Sequence, residues 1–570
     1  AAWFPSSTGS DLVPDAGAML SARAASEQQY FGTRKYYPAL AHAGWPRSYR
    51  VAWLPPDATL DAGRRTQGLG SLTTPSTVAR SAARTQLNDV PWYPVVFAAT
   101  YVLNLWVDSG VSVLAITRSL MVAMVAAGLI LGVLAIVTRR PHLAGVLSLL
   151  AILVLLSRGP LYMAGLLTLA VAAALAVRLF GRIRRRPIVG KDITRALNAV
   201  SGVLLAVVLA GGMVRGTFGA VPADLQQGRG TLQEGDAPTP SDLPSIYVLM
   251  LDGYPRADSL ERLFGGDTSS FLEELRARGF SVAQNSESDY MFTQQTLTSM
   301  FHMKPLSEIK PLEPLADGSS EANPLMRQVL NDNPVFALAR GQGYRVVTSS
   351  PGFEHVALRQ SDVYLDDGQL NDFEYHLLRF TNAQGIVNLL APDFFADRQR
   401  DRIRSGFEHF VEVTANETRP TLAFIHLPTP HLPVVFGSDG SDAPLPPSAD
   451  IFDWPEIDGR TRDAYVRQLT YLNARIIDVV DSALRANRSG VEPIILVMSD
   501  HGAAARPAVF VGPGTDEHYA TFFASRTPDG SDPFGEDISP VNVFPRLFNA
   551  YLGTDLPEWP NDRYAGVGDQ

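Results

Sequence analysis

Two carboxylates close two apolar runs in this chain. Asp252 ends SIYVLMLD and Asp500 ends PIILVMSD, with His501 directly after it. An apolar run that stops at an acid predicts a buried parallel strand whose last side chain stands at the carboxyl edge of a sheet. Open α/β sheets bind ligands at that edge, so residues far apart in sequence can meet there. Asp, Asp and His offer hard-to-borderline donors suited to Zn²⁺ or Mn²⁺. The chemistry to expect is metal-dependent phosphoryl transfer.

Such a site needs a nucleophile. In SDYMFTQQTLTSMFHM, Thr293 precedes a stretch that predicts a short helix. A hydroxyl there gains from the positive end of the helix dipole, and the free N–H groups suit a bound phosphate. An unassisted threonine is a poor nucleophile, and metal coordination is one standard activation. The same segment can be read without chemistry, with Thr293 as an N-cap and Thr296 and Thr298 as polar helix residues; Thr296 is also the alternative nucleophile. FIHLPTPHLPVVF places His426 at a strand end and His431 between prolines, which hold a loop extended for contact with a substrate oxygen. Tyr254, Arg256 and His518 are weaker candidates for phosphate or head-group contacts, and Arg256 can equally cap a helix.

The elements that must position these residues alternate. SIYVLML, GFSVAQ, YRVVTSS, TLAFIHL, PIILVMS and YATFFAS predict strands. SSFLEELRAR, a long stretch near Arg460–Asn487 and a closing one near Val541–Leu552 predict helices. This order predicts an α/β domain over 245–570, with a mixed sheet covered by helices on both faces. A Gly/Pro-rich linker over 215–244 precedes it.

Ahead of the linker the texture changes. Between Pro91 and Ala220 the only acids are Asp108 and Asp192, among long Leu/Val/Ala runs. Five apolar segments, at about 91–107, 115–137, 142–157, 160–177 and 197–214, approach the length a bilayer needs. Arg139 and Arg140, then Arg182 to Arg195, fall in alternate connections. Basic loops stay cytoplasmic, so everything after Arg215 is expected outside the plasma membrane. Residues 1–90 form a tail of unknown role without a cleavable signal pattern, and the first span is expected to direct export. The net charge of -10 belongs mostly to the second half and excludes a nucleic-acid surface there. With no cysteine, disulfides, thiolate zinc sites and cysteine nucleophiles are all excluded.

LMLDGYPR, SDYMFTQQTLTSMFHM, HLPTPHLP and VMSDHG follow one another in the order found in the sulfatase-like branch of the alkaline phosphatase superfamily. An apolar block before an outer domain resembles lipoteichoic acid synthases and lipid A phosphoethanolamine transferases, over about residues 90–570. The resemblance implies one divalent metal, Zn or Mn, held by Asp252, Thr293, Asp500 and His501. It implies Thr293 as the covalent phospho-acceptor and His431 as a substrate-phosphate contact, with His426 and His518 assisting or forming a partial second metal site. The expected donor is a membrane phospholipid and the expected acceptor an envelope glycan or lipid. Sulfate-ester hydrolysis is disfavoured, because TQQTL lacks the Pro and Arg of the C/S-x-P-x-R motif and the chain has no Cys. Lipoteichoic acid synthases have Glu where this chain has Asp252, and the phosphoethanolamine transferases carry disulfides that are absent here. LDGYPRADSL also resembles the opening of nucleotide pyrophosphatases/phosphodiesterases. The alternatives to transfer are a phosphodiesterase or sulfatase-family hydrolase using water, and a non-catalytic membrane scaffold.

Overall fold

The computed structural model describes residues 88–109, 111–157, 190–214, 243–310, 312, 324–417, 419–443, 459–486, 490–503 and 515–563. The expectations for residues 1–87, for the apolar segment at 160–177 and for nearly all of the linker lie outside the described residues.

Seven strands form one sheet: β1 (Ile246–Asp252), β2 (Ser281–Val282), β3 (Arg345–Ser349), β4 (Val363–Leu365), β5 (Thr421–Pro430), β6 (Ile494–Ser499) and β7 (Phe523–Arg526). Their order is β2-β7-β6-β1-β5-β3-β4. β1 runs parallel to β5 and β6, and β3 runs parallel to β4 and β5. β7 is antiparallel to both β6 and β2. The sheet is therefore mixed, as the sequence predicts. GFSVAQ and YATFFAS shrink to two and four paired residues. Beyond the ladder, Ala283 N–H donates to the Phe523 carbonyl at 3.1 Å, and the Tyr519 and Ala520 carbonyls accept from Ser288 N–H at 2.8 Å and Arg256 N–H at 3.0 Å.

All seven residues of β1 are buried, because helices cover both sheet faces. Side chains alternate between those faces. Tyr247, Leu249 and Leu251 pack with Phe407 and Phe410 of helix Phe394–Asn416 and with Leu469, Leu472 and Ile476 of helix Gly459–Arg485. Ile246, Val248 and Met250 pack on the opposite face with Leu297, Met300 and Phe301 of helix Thr293–His302 and with Phe544 and Phe548 of helix Pro540–Tyr551. Phe301 centres this second core, edge-on to Phe424 at 5.0 Å and tilted against Phe544 at 5.3 Å. Burying one such ring stabilises the fold by roughly 1.5–3 kcal/mol.

Four apolar helices precede the sheet: α1 (Tyr93–Ser109), α2 (Val113–Thr138), α3 (Pro141–Leu156) and α4 (Gly190–Val214). They coincide with four of the five expected segments. Among the described residues two of them, Val113–Thr138 and Gly190–Met213, are long and apolar enough to cross a membrane; Tyr93–Val107 and Pro141–Leu156 are shorter. Gly145 lies so close to Pro91 and the Tyr93 hydroxyl that an added Cβ would stand 2.6 Å from each, which brings α3 against the start of α1. One end of the bundle is tied by Asn198, which accepts from Tyr93 N–H at 2.9 Å, and by His142 Nδ1 against Thr194 Oγ1 at 2.9 Å. That end also carries Arg139, Arg140, Lys191 and Arg195. The other end meets the α/β domain. There Phe373 enters a cluster with Val102, Trp106, Val111, Ala115 and Ile116, and Asn371 Nδ2 donates to the Ala115 carbonyl at 2.9 Å.

Candidate metal centre

Strand parity assembles the site. β6, β1 and β5 are neighbours, and Leu496 and Met498, Val248 and Met250, and Leu422 and Phe424 all face the core under helix Thr293–His302, now called α5. Asp500, Asp252 and His426 continue these alternate sets at the carboxyl ends. One ligand atom from each of the three lies within 4.8 Å of the others. His501 adds a fourth group, with Nε2 3.4 Å from Asp252 Oδ1 and 3.5 Å from Asp500 Oδ2.

The hydrogen bonding inside this cluster is one-sided. Asp500 Oδ1 accepts from Gly253 N–H at 3.0 Å and His501 N–H at 2.9 Å, while its Oδ2 is buried without a hydrogen bond. Asp252 Oδ1 and both ring nitrogens of His426 are likewise buried and unbonded. Buried polar atoms left unpaired are costly, so three buried groups that each bring a ligand atom within 4.8 Å of the others fit a cation's coordination sphere. Two carboxylates and two imidazoles match the donor preferences of Zn²⁺ and Mn²⁺. His501 Nδ1 lies 2.8 Å from the Gly502 carbonyl, an orientation in which Nδ1 donates and Nε2 faces the carboxylates.

The electrostatics agree. Burial pushes Asp252 upward, but His431, His501 and His426 outweigh it and hold the carboxyl well below the usual range. Burial pushes His501 downward, yet Asp500 and Asp252 raise it to about 9. His426 is lowered by burial, against the pull of the two acids. The pocket thus draws positive charge to its centre.

Two glycines make room. Gly253 has φ +70°, and a Cβ on it would stand 3.3 Å from His501 Cε1. Gly502 packs against the Glu517, Ala520 and His518 carbonyls, too close for any side chain, and donates to the His518 carbonyl at 2.6 Å.

Thr293 is the first residue of α5 and is buried. Phe292 occupies the N-cap position, so Thr293 is not a cap. Two residues earlier, the Met291 carbonyl lies 2.5 Å from His518 Nε2, and the His518 ring stacks on His501 at 4.8 Å. The N-terminus of α5 is thereby joined to the cluster, on the sheet face that carries the acids. Thr296, the alternative nucleophile, instead donates to the Tyr290 carbonyl at 3.3 Å and is fully buried.

His431 reaches the cluster through an irregularity in the sheet. Leu251 pairs with Leu427, but Asp252 pairs with Pro430, so β5 skips two residues. His431 N–H then donates to the Asp252 carbonyl at 3.0 Å, and its ring stands 6.5 Å from that of His501.

Three expected contacts go elsewhere. Tyr254 is a core residue, tilted against Phe522 at 5.0 Å and bonded through its hydroxyl to Asn473 Oδ1 at 2.8 Å. Arg256 pairs with Asp258 at 2.7 Å and donates to the Ser286 carbonyl at 3.1 Å; it offers no side-chain cap to the helix that follows it. His518 has its second nitrogen 3.1 Å from the Ala503 carbonyl, and burial lowers it to about 3. Both its nitrogens face the backbone rather than the cluster.

No family model matches the chain, and no curated protein matches it. Among solved structures, it is similar to the C-terminal periplasmic domain of EptC from Escherichia coli, at 14% identity over 55% of this chain and 82% of that one, with a TM-score of 0.34. The soluble domain of lipooligosaccharide phosphoethanolamine transferase A from Neisseria meningitidis matches at 15% identity, over 56% and 91%, with a TM-score of 0.35. A protein of the alkaline phosphatase superfamily from Vibrio parahaemolyticus matches at 12% identity, over 58% and 74%, with a TM-score of 0.31.

Proposed function

We propose that this chain is a membrane-held, metal-dependent phosphotransferase. It moves the head-group phosphate of a phospholipid, by way of Thr293, to a hydroxyl of an envelope glycan or lipid. The observation that carries the reading is the convergence of ligand atoms from buried Asp252, His426 and Asp500, within 4.8 Å of one another, on the sheet face covered by α5.

Asp252, Asp500, His501 and His426 would hold the metal. A divalent cation there supplies Lewis-acid polarisation of a phosphoryl oxygen and lowers the pKa of a neighbouring hydroxyl. Thr293 Oγ1 attacks phosphorus; the Oγ1–P bond forms as the P–O bond to diacylglycerol breaks, and the hydroxyl proton leaves with the diacylglycerol. An acceptor hydroxyl then forms its own bond to phosphorus, the Oγ1–P bond breaks, and the acceptor's proton returns to Thr293. His431, beside the Asp252 backbone, is placed to steady phosphate charge in both steps. The free N–H groups at the start of α5 favour the same anion.

A membrane setting is supported by α2, whose apolar side chains are largely exposed along its length. The basic ends of the helices lie opposite the α/β domain, which favours an extracytoplasmic domain. Holding the site beside its lipid donor removes much of the search entropy.

Mass spectrometry of the full chain, incubated with metal and mixed-phospholipid vesicles, tests this directly. A head-group-phosphate mass on Thr293 is expected, and an added alcohol should discharge it faster than water does. Full turnover by Thr293→Ala would overturn the assignment.

A further inference from the structure

Among the described residues of the α/β domain, large apolar side chains are exposed in one place only. Ile386 is 52% exposed, Leu389 81% and Leu390 78%. All three lie on a single helix, Ala383–Leu390, whose sequence AQGIVNLL carries no charge. A helix on a water-facing surface normally turns its apolar side inward, and this one exposes three large apolar side chains. Its inward side is held by Val387 against Tyr375 and Phe395.

The root of the helix selects its partner. Asn382, just before it, donates through Nδ2 to the Val154 carbonyl and to Ser157 Oγ, each at 2.8 Å, and its N–H donates to the Ser157 carbonyl at 3.0 Å. The helix therefore starts where α3 ends, beside the 43% exposed side chain of Val154. Arg118 marks the same boundary on α2. Its guanidinium pairs with Glu374 and donates to the Gly368 carbonyl at 2.5 Å and the Gln369 carbonyl at 2.8 Å, all on the α/β domain. Past Arg118, Ser119 to Thr138 form an uncharged helical run, about 30 Å long at the rise of an α-helix, the thickness of a bilayer's hydrocarbon core. The apolar side of helix Ala383–Leu390 continues that band.

We infer that helix Ala383–Leu390 lies in the membrane interface as a lipid-facing foot of the catalytic domain, seating Ile386, Leu389 and Leu390 among the acyl chains of the outer leaflet. The foot is joined to the chemistry. Gln294, next to Thr293, donates through Nε2 to the His355 carbonyl at 2.9 Å; His355 Nδ1 lies 3.6 Å from Asp372 Oδ2. Asp372 opens helix Asp372–Arg379, which leads into the foot. The inference rests on the membrane placement proposed above and is independent of the phosphoryl-transfer chemistry.

Because the chain has no cysteine, single labels can be introduced without background. The experiment places a nitroxide at Leu389→Cys, and separately at Leu390→Cys, in the full chain in nanodiscs of phosphatidylethanolamine and phosphatidylglycerol. Collision rates with molecular oxygen and with a water-soluble nickel chelate are then compared. Labels at Val125→Cys on α2 and at the exposed Glu273→Cys serve as membrane and water references. The expected result is a foot signal like that of Val125: high oxygen access and nickel access several-fold below that of Glu273. Nickel access equal to Glu273 overturns the inference, and so does shielding from both reagents, which would mean protein covers the foot. If Val125 itself is open to nickel, the membrane placement fails. If Val125 is in lipid and Leu389 in water, the foot alone fails.

Discussion

The two faces of β1 are built from the same strand and do different work. Tyr247, Leu249 and Leu251 meet the helices Phe394–Asn416 and Gly459–Arg485 in an apolar core. Ile246, Val248 and Met250 line an equally apolar core, but their row ends in Asp252 and is flanked by His426 and Asp500. The acids of the cluster stand at the rim of one face, and the opposite face seals the strand in place. Position along the strand and parity across it together decide which residues do chemistry.

Substitutions on the two faces should therefore fail in different ways. Thr293→Ala should lower turnover by about 10³-fold or more, because a covalent step loses its nucleophile. Its unfolding transition should stay close to that of the parent chain, read by chemical denaturation in detergent. Asp500→Asn should empty the centre, so that elemental analysis of the purified protein finds almost no Zn or Mn; Tyr254→Phe, on the packing side, should keep the metal. Retained metal in Asp500→Asn would break the comparison. Leu249→Ala should do the converse: a loss of about 2–5 kcal/mol of stability from the cavity it leaves, with metal content per folded molecule unchanged.

The smallest expected effect concerns Asp289, whose Oδ2 accepts from Val541 N–H at 3.0 Å near the start of helix Pro540–Tyr551. Burial raises this carboxyl from 3.8 to about 7, against hydrogen bonds from Val541 and Ser539. Between those values the folded chain keeps a proton that the unfolded chain has released, so stability should fall as pH rises through that window. Asp289→Asn should flatten the slope in denaturant midpoints measured at pH 5 and pH 8.

The strands bearing Asp252 and Asp500 were legible because a buried parallel strand is an apolar run, and an acid at its end needs a reason. Thr293 was legible as a hydroxyl at a helix start. The role of His426 was less so. Its meeting with the two acids depends on β5 lying beside β1 in a register that pairs Met250 with His426, and no local pattern encodes that. The two-residue skip that returns His431 to Asp252 is equally non-local. His518 shows the limit from the other side. Its nitrogens face carbonyls 15 and 227 residues away, partners that DEHYATFF alone does not encode. The foot helix escaped notice because eight uncharged residues inside a long domain read as ordinary core until their exposure is seen.

Arg118 and Asn371 fasten α2 to the start of helix Asp372–Arg379, and Asn382 fastens the end of α3 to the α/β domain. On the proposed function, such fixings would hold Thr293 at one height above the lipid surface. Acceptors that differ in length would then have to bring their own hydroxyl down to that level. Reach, rather than pocket shape alone, would become a criterion by which acceptors are sorted.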